Sequence, residues 1–265
     1  MIDIHSHILP GLDDGAGSME EALVMARCAA ADGIRIMVAT PHVITGLYAN
    51  SRAAILEAVE QIQRVLGENE IPLTVLAGAE YRLEPDLGGR MARGQLLTIN
   101  DGGRYLLVEL PATVVPDYTV QVFYELQLQG VQPIIVHPER NTGFAGTPSL
   151  LCDLITRGAL AQLTAGSLTG LLGSKAAATA RTFLKRGYAH FIASDAHNSR
   201  ERAPLLAAAT REAVRLLGEE QGQSLVIRNP HRAVRGEYLD PGEIKEIRPA
   251  RRSFFDFFKK KKTRL

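Results

Sequence analysis

Seven short apolar runs punctuate the chain, at residues 2–9, 34–40, 73–80, 105–109, 133–137, 159–163 and 190–194. They are rich in Ile, Val and Leu, as strands buried on both faces are. Between them, residues 18–31, 52–66, 117–129, 149–156, 174–185 and 203–217 repeat apolar side chains at helical spacing. Ser18 with Glu21 three residues on has the form of a capping box. Gly33, Gly67, Gly130, Gly158, Gly187 and Gly218 each stand where a helical run should stop. Strands alternating with helices at this spacing predict a parallel sheet with crossover helices, and about seven units predict an α/β barrel. No linker interrupts the pattern before roughly residue 238, so residues 1–240 read as one domain and 241–265 as a separate tail.

In such a fold, chemistry collects at the carboxyl ends of the strands. Those ends carry a recurring set of side chains. His5 and His7 lie two apart on the first strand and share a face. Asp13 and Asp14 follow in a glycine-flanked loop. Later ends carry His42, Glu80, Glu109, His137, and Asp195 with His197. Singly, each has an ordinary structural reading: a core imidazole, an ion-pair partner, a helix cap. Together, five of the seven histidines fall at predicted strand ends beside carboxylates, which points to metal. A single ion takes about four to six donors, so a set this large suits two or three ions. Imidazole mixed with carboxylate, without thiolate, favours Mn²⁺, Fe²⁺ or Zn²⁺. Clustered divalent ions commonly serve phosphate-ester hydrolysis.

Composition narrows the alternatives. With 46% hydrophobic and 22% charged residues the chain is globular. No apolar run reaches the roughly 18 residues of a membrane span, and no secretory leader is legible. Cys28 and Cys152 are far apart, so neither a disulfide framework nor a thiolate metal site is expected, and a cytoplasmic setting is. A cysteine-nucleophile phosphatase needs an arginine six residues after the thiolate, but Ile34 and Gly158 stand there. The net charge of +1 hides an asymmetry: residues 245–265 hold nine Lys or Arg against Glu246 and Asp256, leaving the body at −6. An acidic body is unsuited to nucleic acid. Within the tail, Phe254, Phe255, Phe257 and Phe258 precede four lysines, which reads either as a flexible, solvated terminus or as a peripheral contact with the inner face of an anionic membrane.

The stretches DIHSHILPGLDDGA, VATPHV, GAEYRL, VELP, VHPER and SDAHN resemble the polymerase-and-histidinol-phosphatase (PHP) superfamily. The closer resemblance is to its bacterial manganese-dependent protein-tyrosine phosphatases of capsule and exopolysaccharide regulation, the CpsB/YwqE type. It spans residues 1–238, and the DDG loop and HPER turn make it specific. The resemblance implies a distorted (β/α)7 TIM-like barrel with two or three divalent ions, Mn²⁺ foremost. It implies metal ligation by His5, His7, Asp14, His42, Glu80, Glu109, His137, Asp195 and His197, with Glu80 bridging. Arg140 and Arg202 would bind the substrate phosphate, and hydroxide bridging the ions would attack phosphorus in line. The implied substrate is a phosphotyrosine protein, a bacterial tyrosine kinase of polysaccharide synthesis with a tyrosine-rich tail. Asp13 is a further candidate proton donor. Two rivals share the ligand set: a small-molecule phosphatase such as histidinol-phosphate phosphatase, and a non-catalytic metal-binding scaffold.

Overall fold

A computed structural model describes residues 1–242. The strands are β1 (Ile2–Ser6), β2 (Ile36–Ala39), β3 (His42–Val43), β4 (Thr74–Ala77), β5 (Glu80–Arg82), β6 (Tyr105–Glu109), β7 (Gln132–Val136), β8 (Leu160–Thr164) and β9 (Phe191–Ala193). Helices connect them: α1 (Met19–Ala31), α2 (Arg52–Glu68), α3 (Leu87–Ala92), α4 (Thr119–Leu128), α5 (Thr142–Gly146) and α6 (Pro148–Thr156). Then follow α7 (Ala165–Thr169), α8 (Ser174–Lys185), α9 (Ala207–Leu217), α10 (Glu219–Ser224) and α11 (Arg228–Val234). All strand pairs are parallel, in the orders β1-β2-β4 and β3-β5-β6-β7-β8-β9.

The two sheets form one wall of seven strand positions, because the second and third are each broken midway. The expected strand 34–40 ends at Ala39 and resumes at His42, across Pro41, which has no N–H to give the ladder. The expected strand 73–80 ends at Ala77 and resumes at Glu80. The wall curls until its ends meet. Ser6 bridges Ala196 in parallel, the His7 N–H donates to Ala196 O at 2.8 Å, and the Asp195 N–H donates to His5 O at 2.9 Å. This is the distorted seven-stranded α/β barrel that the alternation predicts.

One apolar cluster, including Met25, Ile62, Leu106, Ile135 and Phe183, lies between wall and helices; a second, including Ile4, Leu107, Ile134, Leu160 and Phe191, fills the interior. Ala233, Val234 and Leu239 join the interior cluster and close its amino-terminal end, where Tyr105 donates to Glu237 O. The metal-type side chains are left at the other end.

Local differences from the pattern have physical causes. The helix expected over 203–217 starts at Ala207, where Asp32 Oδ2 accepts the Leu206 and Ala207 N–H groups at 2.6 and 2.8 Å and caps the first turn. Helix α2 runs through Gly67 to Glu68, and Glu70 takes the left-handed turn (φ 54°). Ser18 caps α1 by accepting the Glu21 N–H. The Glu21 carboxylate does not close the box but accepts the Ser199 N–H at 2.8 Å, tethering the loop after β9. The basic, aromatic tail lies outside the described residues.

Candidate metal centre

The site begins with a slip in β1. Asp3 pairs with Met37 and Ser6 with Ala39, so three steps on β1 match two on β2. A bulge of this kind re-aims side chains. Ile4 can thus join the interior cluster while His5, its neighbour, is also buried inside against Gln162 of β8. His7 follows just beyond the strand.

Each of these imidazoles is held from behind. His5 Nδ1 donates to Gln162 Oε1 at 2.9 Å, and His7 Nδ1 to Asp13 Oδ2 at 2.6 Å. With each Nδ1 turned backward, each Nε2 faces the centre, and the two Nε2 atoms lie 3.2 Å apart. Glu80 Oε2 stands 3.2 Å from His5 Nε2, 3.4 Å from His7 Nε2 and 2.9 Å from His42 Nδ1. Its other oxygen lies 3.0 Å from His137 Nε2. Asp195 Oδ1 is 3.5 Å from His5 Nε2 and 3.4 Å from His7 Nε2. Asp14 Oδ1 sits 3.6 Å from His42 Nε2 and 3.5 Å from His197 Nε2. Glu109 Oε1 lies 4.0 Å from His137 Nε2. All nine residues singled out from the sequence therefore meet in one cluster at the strand carboxyl ends.

Two members sit on unusual backbone. His137 (φ 37°) and Asp195 (φ 53°) are left-handed without being glycine, a conformation that costs on the order of 1 kcal/mol and concentrates at functional sites. The DDG loop closes over His7 by steric necessity. A Cβ on Gly15 would stand 2.1 Å from His7 O, so only glycine fits.

The electrostatics are those of a site built around positive charge. Burial works against the ionised forms of Glu80 and Asp195, yet the surrounding imidazoles hold both carboxyls well below their ordinary range. Burial likewise opposes charge on His7, but Asp13, Asp195 and Glu80 raise its pKa well above the usual value. His197 is pushed down to about 3, first by burial and then by the charge on His7. Despite this crowding, His42 Nδ1 and Glu80 Oε2, 2.9 Å apart, are not aligned for a hydrogen bond with each other, and neither buried atom has another partner. A buried carboxylate oxygen ringed by imidazole nitrogens fits a divalent cation, which would accept its lone pair together with those of the imidazoles around it.

The donors group accordingly. His7, Asp14, His42 and His197 offer atoms mutually within 4.8 Å, as do His5, His7 and Glu80, and His42, Glu80 and Glu109. His7, His42 and Glu80 each belong to two of these groups.

Both expected arginines reach the cluster edge. Arg140 Nη1 donates to Asp195 Oδ2 at 2.6 Å and Arg202 Nη2 to the same oxygen at 2.7 Å. Four neighbours escaped the sequence reading. Gln162 backs His5, and Arg82 holds Glu109 through a 2.9 Å bond. Tyr48 stacks on His42 with ring centroids 5.8 Å apart. Glu139, of the HPER turn, accepts the Thr164 N–H and the Ser167 hydroxyl. None lies in a metal-ligand spacing; only Arg82, in GAEYRL, and Glu139, in HPER, fall within a quoted motif. Asp13 changes role. It accepts from His7 Nδ1, the Gly15 N–H and the His42 N–H, and although burial opposes its charge these bonds keep its carboxyl below the usual range. It is an ionised anchor rather than a proton donor.

A parallel α/β barrel with a buried histidine–carboxylate centre at its strand carboxyl ends is the architecture of a metal-dependent hydrolase. The lactonase Lmo2620 from Listeria monocytogenes shares this fold at 12% identity, with a TM-score of 0.57 over 88% of this chain and 94% of its own. The chain belongs to the CpsB/CapC family of capsular polysaccharide synthesis, whose model matches residues 1–235. It is 44% identical over 225 residues to the tyrosine-protein phosphatase YwqE of Bacillus subtilis, covering 85% of this chain and 87% of that protein. It is 37% identical over 206 residues to the putative tyrosine-protein phosphatase CapC of Staphylococcus aureus, covering 78% and 80%. Among solved structures it matches one from the work describing YwqE and Streptococcus pneumoniae CpsB as unique metal-dependent tyrosine phosphatases. That match has a TM-score of 0.88 and 40% identity over 93% of this chain and all of the other.

Proposed function

We propose that the protein is a metal-dependent protein-tyrosine phosphatase that hydrolyses phosphotyrosine on a partner protein. The observation that carries this reading is the convergence on one buried centre of seven donors in three overlapping groups, with His137 and Asp195 against them and both arginines at the edge, in a chain of this family. His5, His7, Asp14, His42, Glu80, Glu109, His137, Asp195 and His197 would hold two or three divalent ions, Mn²⁺ foremost, with Glu80 shared between them. Three overlapping donor groups support that count. When bound, the ions supply acidified water at neutral pH and charge to offset the phosphoryl oxygens.

The chain's own residues do the rest. Gln162 and Asp13 lock the orientation of His5 and His7. Arg140 and Arg202 each use one edge of a five-donor guanidinium on Asp195, leaving donors for a phosphate. Both are partly exposed, so a phosphate arriving from solvent meets them first. A tyrosine leaving group, with a pKa near 10, departs with less acid assistance than an alkyl alcohol. This suits a site in which the carboxylate beside His7, Asp13, is committed to anchoring. The scaffold reading is disfavoured because no donor position is lost.

The partner is a tyrosine kinase of polysaccharide synthesis, consistent with the family's place in capsule assembly. None of the described helices is long and apolar enough to cross a membrane. Contact with an anionic membrane is assigned to the tail through its phenylalanines and lysines.

Hydrolysis of a phosphotyrosine peptide and of histidinol phosphate by the metal-loaded protein separates the readings. Preference for the peptide is expected. Activity on histidinol phosphate alone would overturn the assignment, and inactivity on both would favour the scaffold.

A further inference from the structure

Beside the metal centre lies a cleft of about 480 Å³, within the roughly 300–1,000 Å³ typical of small-ligand sites. Asp195 and Arg202 line it, so it is continuous with the centre. Its other walls are mainly apolar, with Leu171 and Leu172 after α7 and Ala203 and Leu205 before α9, though Thr169, Arg200 and Glu201 also line it. Leu171 is 64% exposed and Leu205 48% exposed. Neither leucine is needed to fill the core. Facing apolar side chains left uncovered next to a charged centre mark a place where a ligand covers them.

We infer that this cleft is an aryl subsite, which takes the phenyl ring of a phosphotyrosyl side chain while its phosphate lies on Arg202 and the metal centre. The inference rests on the phosphotyrosine reading above and adds the residues that select for it. A phosphate held at the Arg202 end leaves the attached group to run outward between the leucines. A phenyl ring is long and flat enough to reach them, whereas the short alkyl chain of a phosphoserine is not. The neighbouring cleft on the other side of Leu172 is a poorer candidate for the ring. It is lined by Glu139, Arg140, Lys175 and Thr179 beside Ala145, Leu172 and Ala176, and is the more polar of the two.

The test uses the full-length, metal-loaded protein and two non-hydrolysable probes, phenylphosphonate and methylphosphonate, with affinities measured by calorimetry. The wild type is expected to bind phenylphosphonate about tenfold more tightly, the discrimination a small apolar pocket supplies. In a Leu171→Ser/Leu205→Ser variant that preference should fall to about twofold or less. Leu205→Trp, which fills the cleft, should lower it as well. In parallel, the double variant should show a raised KM for a phosphotyrosine peptide with a much smaller change in kcat. A preference equal in wild type and both variants, or absent from the wild type, would overturn the subsite. Failure of the phosphatase reading looks different: the wild type would turn over no phosphotyrosine peptide, whatever the phosphonates do.

Discussion

Asp13 accepts the Nδ1 proton of His7 at 2.6 Å, and this one bond decides which nitrogen of His7 faces the centre. Because Asp13 also accepts the His42 N–H at 2.8 Å, it ties β1 to β3 as well. Asp13→Ala should therefore weaken metal binding about 10- to 100-fold while leaving all nine donors in place. Competition with a metal indicator measures this. An affinity within twofold of wild type would show that His7 needs no backing.

Gly15 tests the same loop sterically. With a Cβ only 2.1 Å from His7 O, Gly15→Ala must displace either the DDG loop or His7. The expected loss is about 2 kcal/mol of stability with a parallel loss of metal affinity. Denaturant unfolding reads the first, and a neutral result would mean that the loop shifts freely.

The interior histidine outside the centre gives a pH prediction. His190 Nδ1 accepts the Ala161 N–H at 3.0 Å and Nε2 donates to Pro241 O at 2.9 Å, which requires the neutral ring. Burial accordingly pushes its pKa down from 6.5 to about 4. Protonation then favours the unfolded chain, so the stabilising contribution is complete above the unfolded pKa and is lost as pH falls towards the folded one. The loss amounts to about 3 kcal/mol. In His190→Gln the stability gap to wild type should narrow steadily between those two pH values. A gap constant with pH would contradict the assignment.

Leu239 belongs to the plug at the amino-terminal end of the barrel, opposite the metal centre. Nearby, Ile227 and Tyr238 are exposed, together with Arg228, Arg232 and Arg235. Removal of residues 248–265 should abolish co-sedimentation with vesicles of anionic phospholipid, at about 1 kcal/mol for each lysine lost. Equal binding by both forms would remove the membrane from the account.

Much of this was legible in the sequence because strand ends and ligand spacing are local signals. The seven apolar runs named every strand position, and most of the nine donors lie at or just past the ends of those runs. What was not legible depends on contacts distant in sequence. Gln162 backs His5 across 157 residues, and nothing around it marks it as polar support rather than strand filler. The break at Pro41 was visible as a residue but not as a division of the wall. The slip between Asp3 and Ser6 is a property of pairing with β2 that β1 alone does not reveal. Glu21 is the converse case: a local signature promised a closed capping box, and the Ser199 N–H won its carboxylate instead.

The central claim is that the buried cluster holds catalytic divalent metal. Its most direct test is metal content measured alongside phosphotyrosine hydrolysis, in protein purified without chelators, for the wild type, the stripped form and Asp195→Ala. The account predicts two or three ions per wild-type chain and turnover lost on stripping and recovered with Mn²⁺. Asp195→Ala should lose both metal and turnover while keeping its helix content. Undiminished hydrolysis by the stripped protein, or near-normal rates in Asp195→Ala, would contradict it.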